Sequence, residues 1–571
     1  MIKKTILLIL VFILGFLVGN VAKAADLNGY TAKYECKSGG EHCNVDVAAL
    51  TAQACDQVIT TATSPTGDWS AINWSNNVIC LANGDHTGRG TLTLSSSGTS
   101  GAYKVLRGVC TDDPWNTSCA SVQRIAGGGR NYWIIDRISL PSTQITEKVY
   151  FKTSESHIII SRILAEGFWG SSGSAIIIEG TTDLTVQNSV IRDCQASVGD
   201  SPTALSFGHT TNTRIVNNEM YDCAKGPTTW RTSGTEENAT IENNDIYLTS
   251  TYYTDCSGND DTGGNCSKGE SLASTKGDGS ASGPYKYIQN RMWGMKQSDV
   301  NVCCDGGGAP GNAVGIGGGD LTADYVLLQN NIIMDSGGGI QFTTLSGDGT
   351  DRTSVIGNTI YHLDAAWADN LGGIRYYASG GSAHDTSEVY LNTLIDAGSD
   401  IGWLDISGLT NSDIKCNVAI SSPVAVGTLG SGSVMSYNAF YDTTASGTNT
   451  TYNAVTTRLN STAYSLGQII RTTATAPADG TAGDFLYEVT DAGTSAGSPP
   501  SYTTTLGATT TDGDMVVQAI RGPLSFYRKL RTGAELVYIP YALVHTTAPE
   551  YGACPSGFAS TSGRGVDNTQ P

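Results

Sequence analysis

The sequence predicts an all-β solenoid, a stack of short β-strand coils, with a small β module near its C-terminus. Three observations support this fold class. The 571 residues include 69 glycines and only 15% charged residues, a composition typical of many short strands joined by many turns. Apolar residues recur at regular intervals, and one asparagine motif repeats nine times. Because a unit of this size cannot bury its own apolar face, we expect the units to stack.

The repeat reads Asn-x-apolar-apolar, and most copies follow a short apolar alternation. Each unit is therefore predicted as strand, Asn turn, strand and Gly-rich turn. Asparagine suits the turn because it tolerates the left-handed backbone conformation and its amide can bond neighbouring backbone. We expect these side chains to stack along one turn and to bond one another from coil to coil. The copies begin at Asn188, Asn218, Asn244, Asn290, Asn330, Asn358, Asn392, Asn417 and Asn438, with weaker copies at Asp136 and Ser161.

The spacing of the copies argues against the main alternative, an antiparallel β-sandwich. Successive copies lie 21 to 34 residues apart, except for intervals of 46 and 40 residues between Asn244 and Asn330. A sandwich is not expected to repeat one asparagine at the same strand phase nine times. The two long intervals predict protruding loops, and long loops on a rigid scaffold often carry function.

The N-terminus predicts an exported protein. Lys3 and Lys4 precede a short apolar run that ends in Ala22-Lys23-Ala24, which is typical of a signal peptide over residues 1–24. Residues 25–75 are predicted as an N-terminal cap, with a helix over residues 45–59 that plugs the open end of the solenoid. No second long apolar stretch follows. We therefore expect a secreted or periplasmic monomer without a membrane span in the mature chain.

The net charge limits which binding partners are expected, and the cysteine content indicates disulfide bonds. The formal net charge is −20, which argues against nucleic acid because phosphate binding needs clustered Lys and Arg. The 14 cysteines are expected to form disulfides in an oxidising compartment. Cys194 and Cys223 end equivalent coils, and they could stack or bond.

The loop before residue 268 has acidic residues beside Cys256 and Cys266. A calcium ion could bind there, with Asp255, Asp260 and Asp261 as candidate metal ligands.

The segment KGESLASTKGDG, residues 268–279, holds the candidate site. In a strand, alternate side chains face opposite ways, so Ala273 is predicted inside and Leu272 outside. Glu270 and Lys276 are predicted outside as well. Exposed charges are usually only solvated, but this strand lies between the two long intervals. Six strand residues span roughly 20 Å, so Glu270 and Lys276 must act with side chains from neighbouring coils.

Neighbouring coils supply basic, amide and aromatic groups that suit an anionic sugar chain. Arg231 and Arg375 are candidates to neutralise a substrate carboxylate, and Lys276 is the candidate base. A lysine can act as a base where cations or burial lower its pKa. Candidate substrate-binding residues are Glu270, Gln341, Tyr377 and Trp403.

With its repeated Asn-x-apolar-apolar units, the chain resembles the right-handed parallel β-helix superfamily, which includes the pectate lyases. The resemblance implies a parallel β-helix over residues 76–445. The segment at 270–276 also resembles a motif of exported β-helix proteins related to polysaccharide lyases, Glu-Asn-x-x-Asp-x-Lys. In that motif Asn-Arg-x-Trp-Gly follows, which here begins at Asn290. This chain departs from the motif at Ser271 and Ser274, which puts a metal held by the motif's aspartate in doubt.

Residues 461–520 resemble a small β module of phage-tail and carbohydrate-active proteins. The match rests on Tyr464, Gly467, Tyr487, Gly493-Thr494-Ser495, Pro500, Tyr502, Gly507-Ala508-Thr509 and Asp512-Gly513. The resemblance implies a carbohydrate-binding-like function, whereas a spacer or packing module is the alternative. Family members often have Trp at Tyr502, and the Trp expected after Asp-Gly is Met515 or Val516. Residues 521–571 are predicted as a strand and a polar tail.

Three functions remain open from the sequence. The first is a secreted lyase that cleaves a uronic-acid polymer by β-elimination. The second is a non-catalytic exported glycan-binding or adhesin-type protein, because fold does not settle function. The third is a glycoside hydrolase, which needs paired carboxylates on the outer face. Few such pairs are found at the outer positions that the repeat assigns.

Overall fold

The structure is a computed structural model that describes most of residues 53–521. It leaves out residues 1–52, 62–67, 112–113, 115–118, 142–146, 171–173, 197–202, 224, 230–237, 250–270, 276–284, 295–311, 318–325, 345–352, 364–372, 379–383, 386, 391, 398–403, 406–408, 416, 421–429, 437–438, 442–450, 454, 473–484, 506 and 522–571. The described residues are almost entirely strand and turn, with one short 3-10 helix at Thr87–Arg89.

Three long parallel sheets form the body of the protein, and each coil of chain visits them in the order A, B, C. Sheet A contains Gln57–Ile59, Val78–Leu81, Lys104–Gly108, Trp133–Asp136, Ser156–Ser161, Thr182–Gln187, Arg214–Val216, Thr240–Glu242, Tyr285–Ile288, Val326–Gln329, Thr353–Ile356, Glu388–Tyr390, Asp413–Lys415 and Val434–Ser436. Sheet B contains Gly84–Asp85, Ala120–Ser121, Ile138–Leu140, Leu164–Gly170, Val190–Ala196, Glu219–Tyr221, Asp245–Tyr247, Arg291–Trp293, Ile332–Ser336, Thr359–Leu363, Thr393–Ala397, Val418–Ile420, Ala439–Tyr441 and Thr451–Asn453. Sheet C contains Thr91–Thr93, Arg124–Ala126, Val149–Phe151, Ser174–Glu179, Thr203–Gly208, Lys225–Thr229, Ser271–Thr275, Asn312–Gly317, Gly338–Thr344, Ile374–Ala378 and Leu404–Asp405. A two-stranded pair, His384–Asp385 with Leu409–Thr410, lies beside them.

The core lies inside the coils and is built by register. On sheet A, the same inward position is apolar in strand after strand, as in Ile135, Ile160 and Val186, which are direct neighbours. These side chains are fully buried in one continuous core cluster. No single coil could bury this surface alone, so the stacking of coils is what makes the core. The predicted parallel β-helix is confirmed.

The corner between sheets A and B is an asparagine ladder. The side-chain amide of Asn290 donates to the Asn331 Oδ1 at 3.0 Å and to the Ile241 carbonyl at 2.8 Å. Its Oδ1 accepts from the backbone and side-chain amides of Asn244 at 3.0 and 2.9 Å. The pattern repeats from Asn218 to Asn417. The predicted stacking is confirmed, and it satisfies buried polar groups that strands alone would leave unpaired.

Two of the predicted ladder positions are wrong by one residue. In the ladder, Ser189 and Asn331 occupy the positions assigned to Asn188 and Asn330. Asn188 and Asn330 instead precede it, with φ of 50° and 55°. This left-handed position turns the chain from sheet A to sheet B, and asparagine tolerates it better than most residues. The corner therefore uses asparagine for two different reasons. Asn438 lies outside the described residues.

The N-terminal end of the core is filled differently from the prediction. Residues 57–59, the end of the predicted helix, form the first strand of sheet A; residues 45–52 lie outside the described part. Trp69 and Ile72 belong to the core cluster. Trp69 donates from Nε1 to the Gly90 carbonyl at 3.2 Å and stacks on His86. The turn residue His86 is fully buried there, although such a turn position suggests a surface site.

Three disulfides join described cysteines, and they fit an oxidising, extracellular or periplasmic compartment. Cys194 and Cys223 lie on neighbouring coils with their Cα atoms 4.5 Å apart and are bonded, as the sequence suggested. The others join Cys55 to Cys80 and Cys110 to Cys119. In the described part of the chain, no helix is long and apolar enough to cross a membrane.

A small, mostly antiparallel sheet follows the solenoid. Its strands, in spatial order, are Val455–Thr457, Ile469–Arg471, Leu486–Asp491, Met515–Arg521 and Thr509–Asp512, beside the pair Ala463–Tyr464 and Gly493–Thr494. Tyr502 is buried in its core and donates its hydroxyl to Asp512. Asp512 also accepts a bidentate pair of bonds from Arg458. Tyr502 thus acts as a packing residue, so glycan binding by this module stays a prediction without an exposed aromatic at this position.

Candidate functional site

Arg375 and Gln341 lie side by side on the outer face of sheet C. They are direct register neighbours on the strands Ile374–Ala378 and Gly338–Thr344. The residues that flank them in sequence, such as Ile374 and Ile340, are fully buried in the core. Because strand side chains alternate between faces, Gln341 and Arg375 point away from the core. Arg375 is nevertheless only 8% exposed, so its guanidinium group is largely removed from water.

The same register extends in both directions along the solenoid. Ser274 lies opposite Gly315, which lies opposite Gln341, and Asp405 lies opposite Arg375. Ser274 therefore shares one outer column with Gln341 and Arg375, although about a hundred residues of sequence separate the first from the last. Its strand is the third strand away from that of Arg375. At about 4.8 Å per strand, the two backbones are about 14 Å apart.

A buried tyrosine fixes the strand that carries Arg375. Tyr376 stacks on Phe342 inside the core with ring centroids 4.5 Å apart. Its hydroxyl lies 2.9 Å from the Thr353 Oγ1, which donates to the Ser387 Oγ at 2.8 Å. Burial raises the pKa of Tyr376 far above its usual range. The tyrosine therefore stays neutral, and its contacts hold the backbone of Arg375 against the neighbouring coils.

The other predicted site residues are only partly placed. Tyr377 lies in register with Thr343 on sheet C. Outside the described residues lie Glu270, Lys276, Arg231 and Trp403, together with the candidate metal ligands Asp255, Asp260 and Asp261. Ala273 is inside as predicted, but the predicted outer position of Leu272 is wrong. Leu272 is buried in the core cluster near the start of its strand.

Sheet B has an outer ladder that sequence reasoning did not find. Glu166 and Arg192 form an ion pair with 2.7 Å between Arg192 Nε and the carboxylate, and Arg192 donates to the Tyr221 hydroxyl at 2.7 Å. Tyr221 stacks on Tyr247 at 4.9 Å, and Tyr247 stacks on Trp293 at 4.3 Å. A recurring aromatic at the fourth motif position was the available signal. The repeat by itself did not show which way that position faces, and the structure places it on the outer side of sheet B.

This ladder is built for stability rather than for binding sugars. The rings of Tyr221, Tyr247 and Trp293 stack on one another, so the faces between them cannot hold a sugar ring. The Tyr247 hydroxyl donates to Glu219 at 2.7 Å, and Arg291 bonds both oxygens of Asp245 at 2.5 and 2.9 Å. Burial raises the pKa of Tyr221 to about 12. The buried polar groups of this outer ladder have hydrogen-bond partners. Arg291 and Trp293 of the Asn-Arg-x-Trp-Gly motif belong to the ladder.

Arg375 supplies a cationic group to the outer face of sheet C, with Asp405 as its register neighbour on the next strand. A partly desolvated guanidinium group binds carboxylates strongly and in a bidentate geometry, and Arg375 is placed for this. Elsewhere among the described residues, no group of three or more His, Cys, Asp or Glu side chains could hold a metal ion. The predicted calcium site belongs to the loop before residue 268, outside the described part.

No protein-family model matches the chain, and no curated protein matches it in sequence. Solved structures resemble it loosely. A mutant of the PL6 family alginate lyase AlyGC is 13% identical over 71% of this chain and 53% of its own, with a TM-score of 0.44. Pectate lyase Pel9A is 13% identical over 64% of this chain and 81% of its own, at 0.35. The catalytic unit of a GH87 alpha-1,3-glucanase from Streptomyces thermodiastaticus is 12% identical over 71% and 66%, at 0.34. This chain thus spans about half the length of the alginate lyase, and the overlaps are too loose to transfer any of these activities to it.

Proposed function

We propose that this protein is a polysaccharide lyase that cleaves a uronic-acid polymer by β-elimination on the outer face of sheet C. The observation that carries the proposal is the pair of Arg375 and Gln341. A largely buried arginine and an amide face outward on neighbouring coils, which is the chemistry that a carboxylate-bearing sugar requires. Lys276 directly follows the strand Ser271–Thr275 of the same sheet.

In the reaction, Lys276 removes the proton from C5 of the uronate. The electron pair left on C5 forms the C4=C5 double bond, the C4–O bond breaks, and the leaving oxygen takes up a proton. Neutralising the carboxylate makes the C5 proton more acidic. Lys276 needs a lowered pKa to act as a base near neutral pH, and a nearby cationic side chain such as Arg231 would have that effect.

The spacing of the strands assigns Arg231 and Arg375 to the carboxylates of different sugars. Arg231 follows the strand Lys225–Thr229, which is the direct neighbour of Ser271–Thr275. Arg375 lies on the third strand away, about 14 Å, which exceeds the size of one sugar ring. We therefore assign Arg231 to the carboxylate of the sugar that reacts. Arg375 and Gln341 bind the carboxylate of a sugar farther along the chain.

A calcium ion at Asp255, Asp260 and Asp261 remains part of the proposal from sequence, and no step is assigned to it. Activity that is lost with a chelator and regained with calcium would support it. Equal activity in both conditions would remove it.

The deciding experiment follows the absorbance of unsaturated products on a panel of uronate polymers. Lys276→Ala is expected to lower activity at least about 1,000-fold, the upper part of what general acid–base catalysis contributes. Lys415→Ala is the matched control, because Lys415 pairs with Asp413 on the outer face of sheet A. Unchanged turnover in Lys276→Ala would eliminate Lys276 as the base. No product from any polymer would favour the non-catalytic glycan-binding function.

A further inference from the structure

The outer column of sheet C continues beyond Ser274 toward the N-terminal coils. In register order it contains Tyr150, Ile177, Ser206, Thr228, Ser274, Gly315, Gln341 and Arg375. The positions just before these, such as Val149 and Ile340, are fully buried in the core cluster. Because strand side chains alternate between faces, the column faces outward along its length. From Tyr150 to Arg375 it crosses seven strand spacings, about 34 Å.

The two ends of the outer column carry large side chains, whereas its middle carries small ones. The four middle positions are serine, threonine, serine and glycine. They lie between the pair of Tyr150 and Ile177 and the pair of Gln341 and Arg375. Small side chains extend less far from the sheet, so the middle of the column is lower than its ends. An extended chain that lies along the column can therefore contact both ends.

The end at Tyr150 is a fixed cluster of an aromatic ring and charged groups. The guanidinium Cζ of Arg124 lies 4.1 Å from the centroid of the Tyr150 ring, which is a cation–π contact. The register neighbour of Tyr150 on that side is Ala126, whose small side chain leaves room for the guanidinium group. Glu147 pairs with Arg124 and also accepts from the Lys152 Nζ at 2.7 Å. The carboxylate therefore holds both cationic groups beside the ring.

The cluster has little net charge but several groups that suit sugar hydroxyls. Arg124 and Lys152 supply two positive charges, while Glu147 and the exposed Glu179 on the next strand supply two negative ones. Tyr150 is partly exposed, and its ring has an apolar body and a polar tip. Such a ring can contact both the apolar face and a hydroxyl group of a sugar. A forked guanidinium group donates to neighbouring oxygens. These groups favour sugar hydroxyls over a carboxylate.

We propose that Tyr150 and Arg124 form a distal subsite that binds a sugar of the same polymer through its ring face and hydroxyl groups, about 34 Å from Arg375. Such a subsite rests on the proposed function, since the polymer must lie along sheet C, but it requires only binding and no chemistry. A chain of about seven sugars, each roughly as long as one strand spacing, spans this distance. Short oligomers reach only one end, so the protein selects long polymers.

Binding of oligomers of two lengths tests the subsite. The probes are oligogalacturonates and oligomannuronates of four and of ten sugars, and the full chain carries Lys276→Ala so that nothing is cleaved. Isothermal titration calorimetry measures Kd. Tyr150→Ala should raise Kd for ten sugars about 5-fold, the effect of one aromatic contact, and leave Kd for four sugars unchanged. The four-sugar probes should occupy the end at Arg375, where a charge-assisted bond to a carboxylate is the stronger contact.

Two further variants and a change of salt sharpen the test. Arg124→Met should also raise Kd for ten sugars only, and it keeps an unbranched side chain over the Tyr150 ring. Tyr390→Ala is the matched control and should change neither Kd, because Tyr390 is a partly exposed tyrosine on the outer face of sheet A. The 5-fold ratio for Tyr150→Ala should persist at high salt, since salt screens charge pairs but not contacts with hydroxyl groups.

Three results would overturn the subsite. The first is a Kd shift for Tyr150→Ala that is equal for both lengths or absent for both. The second is a shift that disappears at high salt, which would indicate a bound carboxylate. The third is a parent chain that binds neither length. Failure of the proposed function has a different signature: the chain with Lys276 gives no unsaturated product, while the length-dependent shift in Kd persists.

Discussion

The corner between sheets A and B and the outer face of sheet C are made from the same coils, yet they follow opposite rules. At the corner, each coil from Asn218 to Asn417 supplies an asparagine, and each side chain bonds the next. On the outer face of sheet C, the column changes from Ser274 to Gly315, Gln341 and Arg375 without any repeat. Repetition therefore marks what the stack needs for stability. Its absence marks the face where each coil is free to differ and where a site can be built.

The largest expected effect comes from removing one rung of the ladder. Asn290→Ala should lower the free energy of unfolding by about 4 kcal/mol, because several buried backbone and amide groups lose their partners at roughly 1–3 kcal/mol each. The measurement is urea unfolding. Asn212→Gly is the control: Asn212 also bonds its neighbours but is exposed, and glycine accepts its left-handed conformation. Similar losses in both variants would contradict the distinction between a buried ladder and an exposed one.

A buried lysine offers a pH-dependent test. Lys148 is fully buried just before the sheet C strand Val149–Phe151, where its Nζ donates to the Pro141 carbonyl at 2.5 Å. Burial lowers its pKa to about 8, below that of the unfolded chain, about 10.4. Between these values the unfolded chain binds more protons. Stability should therefore rise from pH 8 to pH 10.4 by on the order of 1–3 kcal/mol from this group.

The matched variant for this prediction is Lys148→Met, which keeps the length of the side chain without its charge. Its stability should depend less on pH over the same range, as measured by urea unfolding at pH 7.5 and 10. Lys152→Met is the control, because Lys152 lies on the surface and pairs with Glu147. An unchanged slope in Lys148→Met would assign the pH dependence to other groups.

Substituting the arginine on the outer face should separate binding from chemistry. Arg375→Met should raise KM about 10-fold, about 1.4 kcal/mol, and leave kcat nearly unchanged, because the proposed role is to bind a sugar away from the reacting one. Initial rates over a range of polymer concentrations check this. Gln341→Met should show a smaller shift in the same direction. A fall in kcat with KM unchanged would move Arg375 to the reacting sugar.

The smallest effect on stability is expected for Tyr376, which lies in the core beneath the outer face of sheet C. Tyr376→Phe should lower the free energy of unfolding by about 1 kcal/mol, since it removes one hydroxyl from the buried bond to Thr353 and leaves the stack on Phe342 intact. KM should change less than in Arg375→Met. Tyr376→Ala, which also removes the stacked ring, serves as the severe comparison. A KM shift in Tyr376→Phe as large as that in Arg375→Met would show that the position of the strand, not the guanidinium group, governs binding.

The site was less accessible from the sequence than the fold. Arg375 and Gln341 were both named from the sequence as residues of neighbouring coils. The proposed division of roles between Arg231 and Arg375 was not predicted, because it depends on how many strands separate Arg375 from the segment at Ser271–Thr275. The ladder of Tyr221, Tyr247 and Trp293 was missed because the repeat shows which positions recur but not which of two adjacent apolar positions faces the core.

What the sequence by itself determined is the solenoid and its asparagine corner. Stacked coils must all make the same turn, so the same two positions recur along the sequence. One is a residue in the left-handed conformation, and the other is the asparagine whose amide joins the ladder. Only the tertiary structure decided which asparagine of Asn330-Asn331 carries the ladder and how Trp69 and Ile72 fill the end of the core. It also decided that Leu272 is buried. Such outcomes depend on contacts between coils, and the loops that set those contacts differ in length from one coil to the next.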